Sequence, residues 1–149
     1  MSLQKQVMDE MKMAMKAKDK VALESLRAIK SELLKAQTET GAKEELSEAQ
    51  EIQLVTKLVK QRKDSAAIFI EQGRQDLANP ELAQIAILNK FLPEQLTEEE
   101  IEKVVVQTIA ATGASGMKDM GKVMGIVSKE LAGQADGKTI STIVKSKLV

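Results

Sequence analysis

From Leu3 to Leu148, apolar residues recur every three or four positions and no stretch alternates strictly. That 3.6-residue period restricts the chain to amphipathic helices and predicts an all-α fold. The stripe Leu3, Val7, Met11 and Ala14 marks a first helix over about 3–17. A second follows Asp19, an expected N-cap, and carries Leu23, Leu26, Ile29 and Leu33; it should close near Gly41. Ser47 and Gln50 form an S-x-x-Q capping box that opens a third helix. It should run to about Gln72 with Gly73 as its left-handed stop. Its stripe is Ile52, Val55, Val59, Ala66, Phe69 and Ile70. A fourth helix should start between Asp76 and Pro80, with proline in its first turn, and bury Leu82, Ile85, Leu88 and Phe91.

The segment FLPEQLTEEEI is the strongest boundary. Pro93 drives Leu92 out of helical geometry. Thr97 and Glu100 then form a second capping box, with Leu96 and Ile101 placed as a hydrophobic staple. A fifth helix over about 98–112 carries Ile101, Val104, Val105 and Ile109 and ends at Gly113. A sixth lies between about 117 and 132, before Gly133; Asp136 caps a seventh holding Ile140, Ile143, Val144 and Leu148. The expected architecture is a four-helix N-terminal part, 1–92, and a small three-helix bundle, 93–149.

Charge and composition narrow the chemistry. There are 22 basic and 22 acidic residues, so no overall field selects nucleic acid or membrane. The two parts carry 15 basic against 14 acidic and 7 against 8 residues, so neither is a basic tail. The chain has no cysteine and no histidine, which excludes disulfides, thiolate nucleophiles, usual zinc sites and imidazole catalysis. Phe69 and Phe91 are its only aromatics, too few for a protein that stacks single-stranded bases. Asp9 and Glu10 interrupt the Met-rich N-terminus, which lacks a signal peptide's apolar run, and no apolar run reaches membrane-span length. A cytoplasmic location is expected.

The stretch GMKDMGKVMG, 116–125, approaches a nucleotide-binding P-loop. That loop needs Ser or Thr after its lysine and a strand before its first glycine. Here Val123 follows Lys122, and a helix precedes Gly116. Gly121 and Gly125, one turn apart, instead mark a close approach. The approaching body is expected to be a neighbouring helix; the alternative is a partner, with Lys118 and Lys122 beside it.

Arg62 falls inside the apolar stripe of the third helix. Its head should find a carboxylate of helix one, two or four, or else form an anion site with Lys63, Arg27 and Lys30. The carboxylate pairs need no catalysis: Glu98 to Glu100 suit a helix N-terminus, and Glu44 with Glu45 should be solvated. No catalytic residue, cofactor or metal site is expected.

The stretches LRAIKSEL, KQRKDSAAIF, FLPEQLTEEEI, DMGKVMGIV and GQADGKTISTIVKSKL together resemble the YqeY-like proteins. These are stand-alone relatives of the C-terminal tail domain of the B subunit of glutamine-dependent aminoacyl-tRNA amidotransferase. That tail carries a Gly-Lys-Ala-Asn turn before its last helix; here Gly133, Gln134, Ala135 and Asp136 depart at the second and fourth places. The resemblance implies the same two helical parts and an accessory module that recognises tRNA or other RNA by backbone and shape. Candidate contacts are Arg27, Lys30, Lys60, Arg62, Lys63, Lys118, Lys122 and Lys138. An alternative is a component of a carbon–nitrogen ligase with glutamine as amide donor, working with partner subunits, although these residues hold no counterpart of the amidotransferase catalytic domain. A third is a protein-interaction adaptor using the Met-rich first helix. Expected partners are tRNA and aminoacyl-tRNA synthetase or amidotransferase subunits, without membrane or DNA.

Overall fold

A computed structural model describes residues 2–39 and 45–149. Among them the chain is all-α, with seven α-helices and no strand. Contacts divide it into two compact units, Met1–Leu92 and Pro93–Val149.

In the first unit, α1 spans Leu3–Ala17 and α2 Lys20–Glu39. The turn between them is tight because Lys18 is left-handed at φ 55°. The Asp19 carboxylate then accepts the Ala22 N–H at 3.0 Å, the expected cap. The expected stop at Gly41 lies outside the described residues. Helix α3, Glu48–Glu71, opens with both halves of the Ser47–Gln50 capping box formed. Gly73 takes φ 72° just beyond it. Helix α4 is Gln75–Leu88 and continues as a 3-10 turn, Asn89–Phe91. Its neighbours are α3 and α2, and α1 packs on α2. Leu26, Ile29, Val55 and Leu88 lie at the centre of this core.

Three details differ from expectation. Ile70 and Leu82 are exposed, because the burial arcs of α3 and α4 centre instead on Leu58, Ala66, Ala78 and Ile85. Helix α4 starts at Gln75, so Pro80 is its sixth residue and lies in the second turn. There its missing N–H removes one i→i−4 bond.

The second unit packs α5, Glu98–Thr112, α6, Met120–Glu130, and α7, Gly137–Leu148, pairwise. The Thr97–Glu100 capping box is complete. Leu96 and Ile101 both join the core of Val105, Val123, Val127, Ile140 and Val144. Gly113 ends α5 at φ 66°. Asp136 caps α7 by accepting the Thr139 N–H at 2.8 Å.

Candidate nucleic-acid interface

GMKDMGKVMG opens a helix, and among the described residues no strand precedes it. Gly116 adopts φ 71°, ψ 172°, a conformation essentially restricted to glycine. A 3-10 turn, Met117–Asp119, leads directly into α6. Asp119 accepts the Ser115 N–H at 2.9 Å and so braces the turn.

The core claims Met120, Val123, Met124, Val127 and Leu131 from this segment. At 100° per residue, Lys118, Lys122, Gly125 and Lys129 then project from the opposite face, with Gly121 at its edge. All five are exposed. Beyond its chain neighbours and its own helix backbone, a Cβ built on Gly121 or Gly125 meets no atom within 4 Å. The expected approach of a neighbouring helix is therefore overturned: α5 and α7 pack on the valine side. The glycines form an open floor flanked by lysines, and Lys122 and Lys129 stand roughly 10 Å apart along the axis.

Charge in this unit is segregated. Helices α6 and α7 carry Lys122, Lys129, Lys138, Lys145 and Lys147 against Glu130 alone. Helix α5 carries Glu98, Glu99, Glu100 and Glu102 against Lys103. One lysine crosses between the sets, Lys147, whose Nζ lies 2.7 Å from Glu102. Lys129 and Lys145 were not singled out from sequence; their i+7 spacing from Lys122 and Lys138 was the available signal. Lys138 is exposed in the first turn of α7.

The basic residues of the first unit are spread over α2 and α3. On α2, Lys30 shares a side with Gln37, seven residues on, whose amide bonds Gln4 of α1 at 3.4 Å. Glu24 of the same helix accepts from the Gln84 amide of α4 at 3.2 Å. Lys30 thus lies on the α1 side of α2, and Arg27, seven residues before Leu34, lies between that side and Glu24. Lys60 and Lys63 are exposed on α3. Arg62 is half-buried, and its Nε donates to Gln84 Oε1 at 2.7 Å. Its Nη1 donates to the Leu58 carbonyl at 3.0 Å. The partner is an amide of α4, not a carboxylate, and the guanidinium is held in a network running from α3 through α4 to α2. Among the described residues no group of three or more Asp or Glu side chains is placed to hold a metal ion. None of their helices is long and apolar enough to cross a membrane.

Comparison with known proteins bears on this arrangement. A family model described as Yqey-like protein matches residues 4–148. A Pyrenophora tritici-repentis protein named altered inheritance of mitochondria protein 41, mitochondrial, is 31% identical over 128 residues, 85% of this chain and 69% of that protein. Its Kluyveromyces lactis namesake is 30% identical over 140 residues, 92% of this chain and 71% of that protein. The E subunit of glutamyl-tRNA(Gln) amidotransferase from Thermococcus gammatolerans is 43% identical over 58 residues, 39% of this chain but only 9% of that protein. The full-length match of the family model fixes the family: the chain belongs to the Yqey-like proteins.

Proposed function

We infer that this chain is an accessory module that binds structured RNA, with tRNA as the favoured partner, through the exposed face of α6. The observation that supports this most is the lysine-flanked, side-chain-free floor at Gly121 and Gly125. Such a floor admits a sugar–phosphate backbone close to the helix, where Lys118, Lys122 and Lys129 can neutralise phosphates. Lys138 and Lys145 of α7 extend the positive field. The scarcity of aromatics favours shape and backbone recognition over base stacking. Arg62 has no part in this reading, since Gln84 and the Leu58 carbonyl hold its guanidinium in the other unit from α6.

Likeness to part of an amidotransferase supports amidotransferase subunits, or a synthetase, as partners that share the RNA. A role as a component of a carbon–nitrogen ligase would be exercised through them. The reading carries a cytoplasmic location, whereas the two relatives named for mitochondria bear that word in their own names.

Competition between a folded tRNA, an unstructured RNA of equal length and duplex DNA for the full chain tests the proposal. Folded tRNA should bind best. Equal binding of the unstructured strand, or none of tRNA at low salt, would sink it.

A further inference from the structure

The outer face of the α1–α2 hairpin combines exposed apolar side chains with cations. Met8 and Met15, seven residues apart on α1, are 47% and 53% exposed, and Leu34 of α2 is 50% exposed. Met11 and Leu23 are partly buried beneath this face and pack on the core. The Gln4–Gln37 bond marks the same side of the hairpin and sets the register in which Met8 and Met11 run past Leu34 and Lys30. Lys12 lies between Met8 and Met15, and Arg27 and Lys30 stand on α2; all three are exposed. No carboxylate falls within this arc. Asp9 lies outside it on α1, and Glu24 is turned to Gln84. Among the described residues Lys12, Arg27 and Lys30 form no ion pair.

Phosphates alone would have no use for Met8, Met15 and Leu34. Unbranched thioethers suit the apolar side of a helix. Cations that flank these side chains and form no ion pair select negative charge. We propose that this face docks an acidic amphipathic helix of a partner protein, with its apolar stripe on Met8, Met15 and Leu34 and its carboxylates on Lys12, Arg27 and Lys30. It is a second surface, in the other compact unit from α6, and stands whether or not α6 binds RNA.

The probe is a synthetic peptide of about 18 residues with leucines at i, i+3, i+4 and i+7 and glutamates elsewhere. Full-length protein carries 13C-labelled methionine methyls. The Met8, Met11 and Met15 signals should shift on titration, while Met117, Met120 and Met124 stay fixed. Leu34→Glu should weaken binding about tenfold, the effect of roughly 1.4 kcal/mol at an apolar contact. The double reversal Arg27→Glu with Lys30→Glu should reject the acidic peptide and accept one with lysines in place of its glutamates. That swap keeps the test decisive if Leu34→Glu fails to fold by circular dichroism. Absence of peptide binding, shifts outside α1, or tRNA moving the Met8 and Met15 methyls where the peptide does not would each overturn the proposal.

Discussion

Arg62 and Gln84 are joined side chain to side chain, Nε to Oε1 at 2.7 Å, across α3 and α4. Gln84 passes its own amide on to Glu24 of α2 at 3.2 Å, so one glutamine links a half-buried cation to a carboxylate it does not touch. Replacing Arg62 with leucine removes both guanidinium bonds. Stability should fall by about 2 kcal/mol, within the range for hydrogen bonds to charged groups. Urea unfolding measures this, and tRNA affinity should stay within about twofold of wild type, since Gln84 and Leu58 hold the guanidinium in the other unit from α6. A large loss of affinity with little loss of stability would return Arg62 to the RNA surface.

The glycines of GMKDMGKVMG should respond in opposite directions. Gly125→Ala places a methyl in open space and removes a helix-interior glycine, so it should stabilise by up to about 1 kcal/mol. Gly116→Ala forces alanine to φ 71°, and should destabilise by about 1–3 kcal/mol. In binding, Gly125→Ala should weaken tRNA about threefold by holding phosphates further from the lysines. Destabilisation by Gly125→Ala would mean that another helix does approach there.

The Thr56 hydroxyl is buried without a hydrogen-bond partner. Thr56→Val keeps the shape and removes the unsatisfied group, so stability should rise by about 1 kcal/mol. A fall in the urea midpoint would show that the hydroxyl has a partner in solution.

At the start of α4, Arg74 donates two bonds to Asp76, from Nε at 3.0 Å and Nη2 at 2.9 Å. The guanidinium is the main cause holding the Asp76 carboxyl below its ordinary value; burial opposes it, and the Asp76 and Leu77 backbone N–H groups assist. The Arg74 value is raised in turn. A carboxylate depressed in the folded state stabilises above its unfolded pKa, and that contribution is lost as pH falls through the folded value. Acid should therefore loosen the first turn of α4. A carbon-detected NMR titration should place the Asp76 midpoint below about 3.9, and Arg74→Gln should move it up. An unmoved midpoint would contradict the pairing.

Local punctuation was legible in the sequence because its physics is local. Both capping boxes, the Asp19 and Asp136 caps and the left-handed stops at Gly73 and Gly113 all form. Each depends on residues within four positions of one another. Ile70 and Leu82 were misplaced because the arc of a helix that becomes buried is chosen by its neighbours. The same limit hid the candidate site. Gly121 and Gly125 read as helix packing until the fold turned Val123 and Val127 inward and left the glycines facing solvent. Arg62 read as part of a basic patch with Arg27, Lys30 and Lys63 until α4 supplied Gln84 as its partner.

The most direct measurement is the salt dependence of tRNA binding to the full chain and to a variant with Lys118, Lys122 and Lys129 replaced by glutamine. Each phosphate left without its lysine should reduce the slope of log K against log salt by about 0.7–0.9. The variant's slope should be shallower by roughly two to three, with weaker binding at low salt and unchanged helicity. An identical slope and affinity in the variant would contradict binding through the exposed face of α6.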